Sequence, residues 1–389
     1  MRRLLSFLWK SAIGIVFCLT PVTAILVVGW TARAMQRTVL RAWFRRSSRA
    51  VENGPFPKFA RASPSTRRLA HWPNWFIAED MGARIKEARA GGAGFTGRLG
   101  VLIRASLGAF WTNFTTGISV ILSTWLLTLP ACVLWLLAWW GGWENSFNKG
   151  YEQAWVGPVV GLTGTALFVV AMTYVPLAQA RQAAAGSWRA FFDFRLVRMV
   201  GSGNALSLLM LAILFVIAGF IIALFRVGPL AIGNFSDYIT KASAVQDYIA
   251  DAPPEELKRL AAAYWLAGAA FTFYAFVLLR HAAARLYARA LLASLRTGRI
   301  KAKRLSKTEY EFLYDLRLLE PPEETRSGVV MRAVKSSSKG LFRLIAMVLG
   351  FALWFAFVAL IFISQFLNHD WFAWINQPLV QLPWLHWLL

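Results

Sequence analysis

The sequence predicts an all-α polytopic integral membrane protein with about six transmembrane helices and cytoplasmic amphipathic helices, and three observations carry that prediction. Long apolar runs recur along the 389 residues, only 16% of residues are charged, and the basic residues collect between alternate runs. Soluble chains carry charge on about a quarter of their residues. Runs of about 18 or more apolar residues are long enough to cross a hydrocarbon core.

Spans are expected over 11–32, 115–141, 157–180, 204–227, 260–281 and 342–366. They organise the chain as a first membrane segment (1–32), a basic cytoplasmic amphipathic region (33–112) and a four-helix membrane core (113–281). A second basic cytoplasmic region (282–341) comes next, then the last span with an outer aromatic tail (342–389). The first segment poses a conflict. Met1-Arg-Arg before an apolar run reads as a signal anchor, which keeps the N-terminus inside. The 15 Lys and Arg residues of 33–112 claim that same side for the C-terminal end of the run. Six spans with a short translocated N-terminus satisfy the larger charge bias. The alternative is five spans preceded by a re-entrant segment broken at Pro21, since irregular backbone is tolerated at depth where protein covers it.

Net charge is +23, and position decides what it means. The stretches 33–112, 181–203 and 280–343 hold 34 of the 42 Lys and Arg residues, whereas Asp370 is the only charge after residue 365. Basic loops stay cytoplasmic and attract anionic headgroups. The pattern therefore predicts a bacterial inner membrane protein with its C-terminus outside, and it excludes nucleic acid as a partner. Cys18 and Cys132, both in apolar runs, exclude a disulfide framework.

Spans 1, 3 and 5 each run into an Ala-rich, Arg-bearing helix, at Gly29–Arg33, Pro176–Arg181 and His281–Arg285. This spacing suggests three parallel two-helix units, as in transporters with internal repeats; any alternating membrane protein also puts basic residues after inward spans. Asn53-Gly-Pro-Phe-Pro57 and Ser336-Ser-Ser-Lys-Gly340 read as flexible joints. Gly92-Ala-Gly-Phe-Thr-Gly97 fits a dinucleotide fingerprint but comes after a polar, helix-like segment instead of a strand, so a joint is expected there as well.

The candidate functional residues are arginines. Arg33, Arg37, Arg41 and Arg45 repeat every four residues beside Met35, Leu40, Trp43 and Phe44, and Arg285, Arg289 and Arg296 share the same pattern. Such positions share a helix face, and guanidinium groups grip phosphates and carboxylates in a bidentate way. They are expected to contact anionic lipid or a protein partner, or to act as snorkelling topology anchors. Gly157, Gly161 and Gly164 form a small face for close helix packing, within the chain or between copies. Arg226, Arg280 and His281 fall near span ends, where snorkelling suffices. His71, His281, His369 and His386 form no catalytic set. The tail tryptophans Trp371, Trp374, Trp384 and Trp387 read as an interfacial belt. The outer loop from Phe235 to Ile249 is expected to form a short amphipathic helix. No metal or cofactor is expected.

Gly29-Trp-Thr-Ala-Arg33 and the segment Pro176–Phe191, with Ala180, Arg181, Gly186 and Trp188, resemble a family of uncharacterised prokaryotic multi-pass membrane proteins. The resemblance covers a small part of the chain and implies a helical membrane fold without a mechanism. The expected function is non-enzymatic, as a scaffold, assembly factor or subunit of a membrane complex, with anionic lipids, protein partners or a second copy of the chain bound. A transporter or channel for a lipid-like or weakly polar solute is the alternative.

Overall fold

Apolar runs of this length fold into long helices, and the computed structural model describes residues 2–48, 52, 54–62, 75, 81–92, 94–141, 156–234, 254–319, 329–368 and 372–385. In chain order the helices are α1 (Arg2–Phe17), α2 (Pro21–Phe44), α3 (Phe56–Ala62), α4 (Met81–Ala90), α5 (Phe95–Trp139) and α6 (Val156–Ala185). They continue with α7 (Phe194–Ser202), α8 (Ala205–Asn234), α9 (Pro254–Arg296), α10 (Lys307–Asp315), α11 (Val329–Asn368) and the single turn α12 (Phe372–Ile375). There is no strand among the described residues. Among the described residues five stretches are long and apolar enough to cross a membrane: Phe95–Trp139, Gly157–Ala185, Ala205–Gly228, Ala261–Arg296 and Leu344–Phe366. The fold is all-α and polytopic.

The first segment, expected as one span, is not a single helix. α1 ends at Phe17, and Thr20 caps a new helix by accepting the Thr23 N–H at 3.3 Å, with Pro21 in the first turn. Proline suits that position because its missing N–H would have no intrahelical partner there. The apolar run 11–32 is therefore divided between two helices. α1 turns aside to cross α9, where Gly14 lies against the Phe273 ring and the Phe7 ring is 6.4 Å from that of Tyr274.

Two punctuation readings have different outcomes. The glycines after α4 form a turn, with Gly92 at φ +74° and Gly94 preceding α5, so no strand feeds them. Ser336–Gly340 lies inside α11 and is no joint. One glycine costs a helix only about 1 kcal/mol, and here it adjoins a long apolar helix that carries the conformation through.

α2, α6 and α9, the helices of the suggested repeat, pack against one another at the centre. α5 lies against α2 and α6, and α8 pairs with α11. The α2–α5 crossing is a backbone contact. The Asn113 carbonyl occupies the place of a Gly29 Cβ, and the Ile25 carbonyl that of a Gly117 Cβ. Beside it Trp75, 2% exposed, stacks on Trp30 at 4.6 Å and donates its Nε1–H to the Lys10 carbonyl at 3.0 Å.

Candidate functional site

α2 and α9 run side by side in the same sense. Thr38 Oγ1 lies 2.8 Å from His281 Nδ1, and the buried Trp43 donates its Nε1–H to the Ala288 carbonyl at 3.0 Å. This pairing brings the two arginine rows together. Each four-residue step on a helix of 3.6 residues per turn overshoots by about 40°, so the row on α2 rotates as it advances. Arg33 turns inward, half-buried, and donates to Asn113 Oδ1 at 3.2 Å. Arg37 is half-buried; Arg41, Arg45 and Arg46 are exposed, as are Arg285, Arg289 and Arg296 on α9. The ridge expected from Arg33 to Arg45 is therefore split between the α5 contact and the surface.

The outward arginines sense one another. Partial burial and then Arg289 and Arg296 lower the Arg46 pKa from its ordinary value. The Arg41 pKa is lowered by burial and then by Arg45 and Arg37. None of Arg41, Arg45, Arg46, Arg285, Arg289 and Arg296 forms an ion pair among the described residues. Guanidinium groups fixed this way on two locked helices repel one another, and anions bridging them relieve the repulsion.

Arg181, the counterpart of Arg33 and Arg285 in the repeat reading, does something else. It is 3% exposed and pairs with Asp193 Oδ2 at 2.9 Å and with the fully buried Glu309 Oε2 at 3.4 Å. Tyr287 donates its hydroxyl to Glu309 Oε1 at 2.6 Å. Glu309 also closes the capping box of α10, accepting from Ser306 N at 3.0 Å. Asp193 caps α7 by accepting the Leu196 N–H at 3.1 Å. One guanidinium thus ties α6, α7, α9 and α10 together.

A second buried arginine lies where the sequence suggested snorkelling. Arg280 is 3% exposed and donates to Gln179 Oε1 and, at 2.6 Å, to the Val380 carbonyl, with its guanidinium 4.5 Å from the Phe276 ring centroid. Arg226 is also buried. Val380 belongs to the tail, and the tail corrects another expectation. From α12 onward it runs inside the bundle along α5: Trp374 neighbours Trp135, Gln381 donates to Thr128 Oγ1 at 2.7 Å, and Leu382 joins Val120 and Ile121. Trp374 is fully buried and so is no interfacial residue. The irregular backbone carries its own hydrogen-bonding groups. Asn376 accepts from Leu382 N at 3.0 Å and donates to the Trp384 carbonyl at 2.9 Å. Non-helical backbone at membrane depth requires such internal satisfaction.

The glycine face of α6 meets other helices of the same chain. A Cβ on Gly161 would stand 3.1 Å from the Phe362 ring of α11, and one on Gly164 would stand 2.8 Å from Trp135 and 3.1 Å from the Ala131 carbonyl of α5; Gly157 is buried. Sequence reasoning missed Gly117, Glu309, Gln179 and Gln381. Glutamines inside apolar runs were the available signal for the last two. The expected outer-loop helix over 235–249 and the residues His71, His369, Trp371, His386 and Trp387 lie outside the described residues. Among the described residues no His, Cys, Asp and Glu group could hold a metal ion. No family model matches the chain, nor does any curated protein or solved structure.

Proposed function

We propose that this chain is a non-enzymatic component of the bacterial inner membrane, a scaffold, assembly factor or subunit that holds acidic groups against a fixed cationic face. The meeting of Arg46 with Arg289 and Arg296, next to the exposed Arg41 and Arg45 on α2 and Arg285 on α9, carries this reading. The two helices need no ordering on binding, because Trp43 and Thr38 already lock α2 to α9. The basic stretches lie on the cytoplasmic side and the C-terminus outside, in keeping with the positive-inside rule. Purification of the tagged chain in mild detergent, with mass spectrometry of the molecules that accompany it, tests the proposal. A stoichiometric partner released by Arg41→Glu with Arg285→Glu supports a complex subunit. Binding to anionic vesicles should weaken by about 1 kcal/mol per charge removed if headgroups are the acidic groups. Loss of neither partner nor vesicle binding would return these arginines to a topology role.

One observation favours the second reading, transport of a lipid-like or weakly polar solute. Arg280 and Gln179 face irregular tail backbone inside the bundle, and in transporters unwound segments of this kind line substrate sites. Substrate-dependent flux in proteoliposomes with no partner present would favour transport over the scaffold.

A further inference from the structure

A cavity of about 1000 Å³ lies between α6 and α11. Its walls are apolar: Leu127 of α5, Val170 and Tyr174 of α6, Leu208 of α8, and Met347 and Trp354 of α11. It opens outward, because Val170 and Met347 are each 61% exposed and Phe351 is 52% exposed. Membrane-facing space of this kind admits acyl chain and excludes a polar solute. One end of the cavity is different. There it is closed by α7, and Arg198 lines both this cavity and a smaller one of about 430 Å³ formed with Phe194, Arg195, Met199 and Ser202.

α7 is held in that position from two sides. Phe194 stacks on Tyr174 at 4.8 Å, and Tyr174 donates its hydroxyl to the Phe191 carbonyl just before the helix. Asp193 caps α7 and is itself bound to Arg181, so the carboxylate beside this site is already committed. Arg195 and Arg198 are exposed and form no ion pair among the described residues. The result is an apolar chamber of the volume of a small-molecule site with two exposed guanidinium groups, unpaired with any carboxylate among the described residues, at one rim. Basic pockets between membrane helices select anionic headgroups.

We propose that this chamber binds one anionic diacyl phospholipid from the leaflet on the basic side, its acyl chains along Val170, Met347 and Trp354 and its phosphate on Arg195 and Arg198. The site shares no residue with the arginine face and stands or falls separately from it.

The test is lipid retention. The full chain is reconstituted in phosphatidylcholine nanodiscs containing a minor fraction of phosphatidylglycerol, extracted, delipidated in steps and read by native mass spectrometry. One phosphatidylglycerol per chain should survive after phosphatidylcholine is lost. Neutralising Arg198 with Arg198→Gln should weaken retention about fivefold, and adding Arg195→Gln about 30-fold. Gly350 lines the cavity and has open space where a Cβ would stand, so Gly350→Trp should fill the chamber and expel the lipid from a folded chain. Equal retention of phosphatidylcholine, or retention indifferent to both Arg198→Gln and Gly350→Trp, would overturn the proposal.

Discussion

The Arg181 network lends itself to a double-mutant cycle because its two principal members are 3% and 0% exposed. Glu309→Gln preserves shape and removes the charge. Arg181 then keeps Asp193 as its one counter-charge among the described residues, at 2.9 Å and 35% exposed, so the loss falls at the low end of the range for breaking a buried pair, about 3 kcal/mol. Arg181→Met strands a carboxylate with no solvent and no counter-charge at hand, although Tyr287 and Ser306 still donate to it. That costs about 4 kcal/mol. With both changes no buried charge remains uncompensated. The remaining loss is chiefly the hydrogen bond to the α10 cap, together with the fit of the methionine, about 2 kcal/mol. The double variant should therefore be more stable than either single change implies, with a coupling of at least about 2 kcal/mol. Equilibrium unfolding in mixed micelles, monitored by tryptophan fluorescence, measures the three variants against the parent. Additivity within about 0.5 kcal/mol would refute the reasoning and mean that solvent reaches this pair.

Other expectations concern close packing and the tail. Gly29→Leu places a side chain where the Asn113 carbonyl stands; overpacking against backbone that cannot rotate away costs about 3 kcal/mol or more, read as lost thermal stability in detergent. Gly350→Leu, with open space around it, should be tolerated in the same assay. Truncation after Asp370 removes one acceptor of Arg280, the Val380 carbonyl, and the donor to Thr128. A cysteine at Thr128, otherwise buried, should then react with a water-soluble maleimide in the truncated chain and stay silent in the full one.

The long helices were legible because their apolar runs are continuous and flanked by charge, and bilayer thickness fixes the length such runs must have. The break at Pro21 was visible as an alternative; choosing it required seeing Thr20 in its capping geometry. The arginine rows were legible as rows. Their rotation is a consequence of helix geometry, yet the meeting of Arg46 with Arg289 and Arg296 depends on the α2–α9 contact through Trp43. Trp374 was read as interfacial for a physical reason. Irregular backbone has no periodicity, and a tryptophan buried in a bundle has the same sequence signature as one at an interface. Gln381 meets Thr128 across 253 positions, and Arg181 meets Glu309 across 128. No local pattern encodes such pairings.

Two of the buried arginines, Arg181 and Arg280, differ in their surroundings, and that difference separates structure from function. Arg181 has two carboxylates; Arg280 has an amide oxygen, a backbone carbonyl and an aromatic face, and no carboxylate within the described residues. A guanidinium held without counter-charge costs several kcal/mol in desolvation that neutral acceptors repay only in part. Arg280→Met removes that cost. It orphans Gln179 Oε1, at about 1–3 kcal/mol, while Val380 still accepts from Gln179 Nε2 at 3.3 Å. The net change in stability should therefore lie between neutral and favourable, in contrast to the loss from Arg181→Met. A large destabilisation in the mixed-micelle titration would show Arg280 to be a structural clamp for the tail. Stability retained, with a partner or a solute flux lost, would mark a charge kept at the expense of stability, as charged groups placed within the membrane at functional sites are.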